Sequence, residues 1–368
     1  MQKVSKPLFN NSKQQRQFYQ ELLKRTNRYF RLYGLDKTGH WQMIVKSLII
    51  LTAYFATYGV LISGAVSGFL AWLLVYLILG FTTAVIGLAI MHDANHGAFS
   101  RKKWVNKLFG FSMNVVGASA FTWKIQHNVL HHTYTNVHGM DEDIQGRGLF
   151  RFSPDSPLRR IHRFQHVYAF FFYSMLTLSW TFVGDFARMA RYRKMGLVDQ
   201  AKADYKKEMR ILIASKVGYI GYMLVLPALI SGFAWWQAAL GFVFLHMVAG
   251  LSLSLIFQPA HVEESTTFYQ PDENNKLPEA WAVHQLLTTS NFAMSSRWFT
   301  WLIGGLNYQI EHHLFPHVSH IHYRKISKIV RRTAKEFGLP YNQRKTFVGA
   351  VYHHVRLLRQ LGRQKVAA

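Results

Sequence analysis

No cysteine occurs in the 368 residues. That excludes disulfides, cysteine-ligated iron–sulfur clusters and thiolate-bound haem. A metal in this chain must be held by nitrogen or oxygen, and redox chemistry would draw its electrons from a partner. Acidic residues are also scarce: 18 against 43 lysines and arginines, a formal net charge of +25. Yet half of the residues are hydrophobic. The combination suits a membrane protein with a basic surface toward anionic headgroups. Nucleic acid is the other common partner of so basic a chain. It ranks well below, because the long uncharged runs of this chain have no role in a nucleic-acid binder. The first twenty residues hold no apolar core and no cleavage signature, so they do not read as a signal peptide.

Charge is absent altogether from two stretches, Ser47 to His92 and Val217 to Val262. Each has room for two spans of about 20 residues with a short turn. The turns are "SGAVSG" (Ser63 to Gly68) and "LISGFA" (Leu229 to Ala234). Neither carries a lysine or arginine, while the outer flanks are basic, so the positive-inside rule puts both turns outside and the rest in the cytoplasm. The expected architecture is all-α: four transmembrane helices in two hairpins under a cytoplasmic helical cap. A single membrane domain covers 1–368. It has a basic amphipathic segment at 1–42, hairpins at 43–92 and 210–262, and cap segments at 93–209 and 263–368. Two shorter apolar runs, Leu108 to Trp123 and Phe164 to Gly184, have basic residues on both flanks and read as interfacial or re-entrant helices. The segment from Lys13 to Leu32 reads as a basic helix lying on the surface, and the tail from Lys325 as a solvated basic run.

Histidines gather near the ends of these runs. "HDANH" carries His92 and His96, four apart and so on one helical face. "HNVLHHTYTN" carries His127 and His131, again one turn apart, and His132, turned aside so that it could reach a second metal. "QIEHH" repeats the pattern with Gln309, His312 and His313, and "FQPAH" sets His261 just past the fourth span. With the topology above, all lie at one membrane face. A lone pair at such spacing is more often two satisfied polar side chains. Several parity-matched clusters point to a metal site. Eight imidazoles exceed what one tetrahedral zinc needs and suit two metals of higher coordination. Of the nearby carboxylates, Asp93 and Glu311 are expected to accept the outer ring N–H of a ligand histidine. Asp141, Asp143 and Glu263 could do the same or merely balance local lysines. Asn128 is placed in the same supporting set.

"HDANH", "HNVLHHTYTN…DEDI" and "GGLNYQIEHHLFPHVSHIHY" resemble the three histidine boxes of the membrane fatty acid desaturases. Gln309 at the head of the third box resembles the front-end subgroup, which includes linoleoyl-CoA desaturases. The likeness runs from about Ala89 to "HHVRLLRQLG". It implies two iron ions held by His92, His96, His127, His131, His132, His261, His312 and His313. Gln309 would be a further catalytic residue, either ligating or holding a water. It implies an O2-dependent enzyme that inserts a cis double bond into an acyl-CoA or acyl-lipid chain. Many front-end members carry a fused cytochrome b5 domain with a His-Pro-Gly-Gly motif. That motif is absent here, so electrons would come in trans from cytochrome b5, ferredoxin or a similar carrier. The unfused form looks bacterial, which would make the membrane the inner one.

Three other readings compete. A di-iron hydroxylase or acetylenase would use the same boxes. A membrane zinc hydrolase would need fewer ligands. A channel would want ionisable groups inside the spans, where only His246 is found. His246 lies fifteen residues before His261, about 22 Å of helix, and reads as a hydrogen-bonded core residue. His317, His320 and His322 read as supporting or surface residues, His353 and His354 as surface.

Overall fold

The computed structural model describes residues 6–363, so the outermost five residues at each end of the expected domain lie outside the described residues. Helices dominate, and the strands described are two-residue pairings such as Leu8–Phe9 with Lys276–Leu277. Four helices are long and apolar enough to cross a membrane: His40–Ile62, Phe69–Asn95, Tyr205–Ile230 and Trp235–His261. The turns fall where glycine allows the backbone to reverse, with Gly68 at φ 87° and Gly232 at φ 78°.

Lipid tails are as apolar as leucine, so close packing and internal hydrogen bonds hold such helices together. The second and fourth spans touch at Gly80, where a Cβ would collide with the Leu245 carbonyl. Trp72, Tyr76, Leu79, Phe242 and Leu245 form a buried core between them. Tyr76 OH donates to the Met223 carbonyl at 3.2 Å, and Trp72 Nε1 to the Leu61 carbonyl at 3.1 Å.

The span helices hold more ionisable groups than the uncharged runs suggest. Lys46 is buried in the first, where its Nζ donates to the Trp301 carbonyl and lies 3.0 Å from His320 Nε2. Lys216 is buried in the third. Its Nζ donates to Asp185 Oδ2 at 2.6 Å and to the carbonyls of Gly117 (2.6 Å) and Trp180 (3.0 Å). Both amines are spent on tying segments together, which offers nothing to a conducting pore. His246 is indeed a core residue, bonded to Tyr219 OH (3.1 Å) and Thr177 Oγ1 (3.0 Å).

The two shorter apolar runs are both broken. Leu108 to Trp123 falls into short helices within Lys103–Gly110, Ser112–Val115 and Ala120–Lys124. Phe164 to Gly184 lies in a helix pair, Arg160–Ser174 and Leu176–Lys194, bent by 55°.

Two surface expectations are corrected. The helix Lys13–Leu32 has the expected bounds, but its stripe of Phe18, Leu22, Thr26 and Phe30 is buried, in a core shared with Ile326, Val330 and Leu286. Its apolar face is thus covered by protein. His354 is buried too: its Nδ1 donates to the Val262 carbonyl at 2.6 Å and its Nε2 accepts from Tyr173 OH at 2.9 Å. His353 pairs with Glu264.

Candidate metal centre

Two π-helical turns shape the site. Gly87–Met91 widens the second span just before His92, and Ile125–His131 is π-helical throughout. Such i→i+5 turns concentrate at functional sites. Here His132 N donates to the His127 carbonyl at 2.9 Å. The widened turn swings the His132 ring to His127, with their Nε2 atoms 3.1 Å apart. The third box sits on a short buried helix, Gln309–Leu314. Gly304 lets the preceding loop close onto the π turn: its φ is 65°, and a Cβ there would strike the Leu88 carbonyl.

The eight histidines converge, all buried. One set comprises His92, His96, His127 and His312, the other His131, His261 and His313. His132 stands between them, grouped with His312 and His313. This corrects the pairing drawn from spacing. His127 and His131, one turn apart, go to different sets, and it is His131 that leaves for the second. His312 falls in the first set and His313 in the second, and both also group with His132.

The Nε2 atoms point inward, four of them toward one another and four at no partner. His92 Nε2 lies 3.2 Å from His127 Nε2, and His132 Nε2 lies 2.9 Å from His312 Nε2. His96, His131, His261 and His313 each present a buried Nε2 without a hydrogen-bond partner. Unpaired buried nitrogens are costly, and so many in two groups fit a pair of metal ions. Outer partners fix the ring orientation of several. His131 Nδ1 donates to Asp141 Oδ2 (3.0 Å), His313 Nδ1 to Gln285 Oε1 (2.8 Å) and His261 Nδ1 to the Thr288 carbonyl (3.3 Å). His312 Nδ1 faces Tyr323 OH at 3.3 Å. Trp123 stacks on His127 at 4.3 Å.

Burial, then the neighbouring imidazoles, hold His96, His127, His132, His312 and His313 well below imidazole's ordinary pKa. They are therefore neutral, the form that ligates. Burial opposes protonation of His131 as well, but the charge of Asp141, its hydrogen bond and Asp143 behind it outweigh that and raise its pKa. Asp143 lies 3.3 Å from His131 Nδ1 and accepts from Gln126 Nε2 at 2.7 Å. Burial pushes its own pKa up to about 6.

Several supporting residues act otherwise than expected. Asp93 Oδ1 stops 4.0 Å short of His92 Nδ1. Its Oδ2 instead accepts from Ser319 Oγ (2.8 Å) and His320 Nδ1 (2.9 Å). Glu311 accepts from Asn291 Nδ2 and Tyr341 OH, both at 2.9 Å, and bonds no histidine. It anchors the third box through Asn291, whose Oδ1 accepts from Ile310 N. Asn128 Nδ2 donates to the Asn95 carbonyl at 3.0 Å, tying the first two boxes together. Glu263 is held by Arg344, away from the rings. Gln309 is fully buried, and among the described residues its carboxamide faces no polar group but the neighbouring His261. Gln285, Thr135, Tyr323, Asn291 and Tyr341 were not anticipated. Only Thr135 carried a local signal, at i+4 from His131, whose carbonyl its Oγ1 bonds at 2.8 Å.

A cavity of about 280 Å³ runs beside His92 and His127. Its walls include Thr83, Met91, Met113, Val116, Leu176, Trp180, Leu253 and Phe257, with Glu142, Asp143, Arg147 and Arg188 also on the lining. An apolar slot with a few charged groups suits a chain-like amphiphile.

The family model described as "Fatty acid desaturase" matches residues 67–345. The chain is 34% identical over 346 residues to the sn-1 linoleoyl-lipid 6-desaturase of Arthrospira platensis, covering 94% of this chain and 92% of that one. It is 35% identical over 352 residues to the protein of the same name from Synechocystis sp., covering 95% and 97%. The acyl-lipid (8-3)-desaturase of Physcomitrium patens is 36% identical over 348 residues, covering 94% of this chain and 72% of its own.

Proposed function

This chain belongs to the fatty acid desaturase family and is a fatty acyl desaturase; we propose that it works on membrane acyl-lipids at a di-iron centre fed by an external electron carrier. The acyl-lipid carrier is favoured over acyl-CoA by the names of the relatives, two of which act on linoleoyl-lipid. The observation that carries the reading is the two sets of buried, converging imidazole nitrogens, four of them without a partner, beside an apolar cavity.

In this reading His92, His96, His127 and His312 hold one iron and His131, His261 and His313 the other, with His132 at the junction. Gln309 completes the second set as a ligand or by holding a water. Two adjacent, unactivated methylenes resist any protein side chain, so bound iron would supply the O2-dependent oxidising power. The chain's own part is positional. The cavity wall excludes water and fixes which methylene pair lies at His92 and His127, which is where proximity is converted into rate and regiochemistry. Asp141, Gln285 and the Thr288 carbonyl hold ring protons outward, so that Nε2 stays a lone pair.

Topology follows from parity. Histidines before and after the bent pair Arg160–Lys194 meet at one site, which supports a pair that enters and leaves one face over a single crossing. The basic flanks support a cytoplasmic placement of that face. The test is expression in a host of known lipid profile, with gas chromatography–mass spectrometry of the fatty acids beside a His312→Ala control. A new unsaturated acid, absent in the control, is the expected outcome and gives the double-bond position. Hydroxylated acids would move the assignment to the hydroxylase. One zinc and no iron in protein from iron-replete cells would end the oxidase reading.

A further inference from the structure

Each double bond needs electrons that the substrate does not provide. R–CH2–CH2–R′ + O2 + 2 e⁻ + 2 H⁺ gives R–CH=CH–R′ + 2 H2O. Two C–H bonds break and one C=C bond forms; the acyl chain loses two electrons and O2 takes up four. The other two come from the external one-electron carrier, so a site for that carrier rests on the function proposed above. The cavity reaches the histidines from the side of His92 and His127. The electrons need an entrance elsewhere.

His317 provides a bonded route. It is exposed, and its Nδ1 donates to the His96 carbonyl at 2.7 Å. From that carbonyl the path to the His96 ring is covalent. The surface around it is basic. Ser319 N donates to the Lys37 carbonyl at 2.8 Å, and Gly39 N to the Ala98 carbonyl at 3.0 Å. These bonds join residues 36–40, 96–103 and 317–319 into one face. It carries exposed Lys37, His40, Arg101, Lys102 and Lys103. Its acidic member, Asp36, is held by Arg101.

We propose that this face docks an acidic one-electron carrier protein, and that His317 conducts from the docked carrier to His96. Opposite charge steers such an encounter and fixes its orientation. Lipid phosphates could meet the same lysines, but lipid binding gives no reason for an exposed imidazole bonded to a ligand residue. The carrier explains both features.

The experiment uses the iron-loaded protein in nanodiscs of neutral phosphatidylcholine, with plant-type ferredoxin as the acidic probe. Binding is read by titration at low and high salt. Electron transfer is read by anaerobic stopped flow as oxidation of reduced ferredoxin. Dithionite reduction and iron content are measured in parallel. Combined Lys37→Glu, Lys102→Glu and Lys103→Glu should weaken ferredoxin binding by about tenfold or more, equivalent to ~1.4 kcal/mol. The difference from wild type should shrink at high salt. His317→Ala should leave binding unchanged and slow ferredoxin oxidation several-fold, while dithionite still reduces the centre. His317→Gln, which keeps a donor for the His96 carbonyl, should recover most of the rate. Wild-type binding in the charge reversal overturns the docking face. So does a charge reversal that lowers only the affinity for phosphatidylglycerol vesicles, which would assign the face to lipid. Loss of iron in both His317 variants would make that residue a support for His96 and overturn the conduction role. If the wild type itself lacks iron or resists dithionite, it is the di-iron reading that fails.

Discussion

Asp141 accepts a hydrogen bond from His131 Nδ1 at 3.0 Å, with both side chains fully buried. The same Oδ2 accepts from Asn136 N at 2.9 Å, and Asn136 Nδ2 donates to the His261 carbonyl at 2.7 Å. One carboxylate therefore orients one histidine of the second set and braces the chain that carries another. Asp141→Asn keeps the size but removes the charge and sets an amide against a ring N–H. Outer partners of this kind are worth roughly 10–100-fold in metal affinity or activity. We expect Asp141→Asn to fall in that range, with iron lost from one site before the other. Iron per protein by plasma emission spectroscopy, taken with single-turnover activity, checks this; full iron occupancy and full activity would remove Asp141 from its assigned role.

The division of adjacent histidines gives a sharper test. His312 belongs to the set with His92, His96 and His127, and His313 to the set with His131 and His261. His312→Ala and His313→Ala should each retain about one of two irons, since a site short of one ligand loses affinity while its neighbour keeps its own. Mössbauer spectra of the two variants should then show different remaining sites. Identical spectra would mean that the two sets do not hold separate metals.

Acid should weaken the site in a defined direction. The native pKa values of His96, His127, His132, His312 and His313 lie well below the usual value because of burial, whereas unfolded histidines titrate near ~6.5. Below that pH the unfolded chain binds protons that the native one refuses, so stability falls as pH falls. His131, raised by Asp141 and Asp143, works the other way, as do the buried carboxyls of Asp143 and Glu311, lifted by burial to about 6 and about 7, but these are three against five. Thermal unfolding of metal-free protein in detergent should show a melting temperature that drops from about pH 6.5 downward. A flat profile from neutral pH to about 5 would contradict the balance.

The sequence made the spans and the histidines legible because both are local signals. An uncharged run of spanning length needs no partner to be recognised, and the turns at Ser63 to Gly68 and Leu229 to Ala234 stand where the chain reverses. Which histidines group together was not legible, since spacing assumes an α turn and Ile125–His131 is a π turn. Asp93 and Glu311 stand beside the clustered histidines in the sequence, but their partners come from far along the chain: Ser319 and His320 for one, Asn291 and Tyr341 for the other. The amphipathic pattern of Lys13–Leu32 was correct; what covers its apolar stripe is a tertiary fact.

Glu311 offers a stability test of that correction. It is fully buried, receives two hydrogen bonds, and burial lifts its pKa to about 7. Glu311→Gln keeps one acceptor oxygen and turns an NH2 toward a donor, leaving one of the Asn291 and Tyr341 groups unpaired. That should cost about 1–3 kcal/mol. If Glu311 instead oriented a ligand ring, iron affinity would drop more than stability. Unfolding midpoints and iron content, measured on the same preparation, separate the two.

Chain length should be set at Thr83. It lines the cavity and is buried in the second span, with its Oγ1 unpartnered. Nine residues separate it from His92, about 13 Å of helix, so it lies on the cavity wall well away from the first histidine. A bulky ring there fills space that an acyl tail would occupy and touches no ligand. Thr83→Phe should therefore shift the products toward shorter chains while iron content stays at the wild-type value. Overpacking against the neighbouring helices would add about 1–3 kcal/mol of destabilisation, which a melting curve would register separately. Fatty acid profiles from cells given a mixture of chain lengths decide the matter: unchanged length preference with a full iron complement would move the tail of the substrate to another part of the cavity.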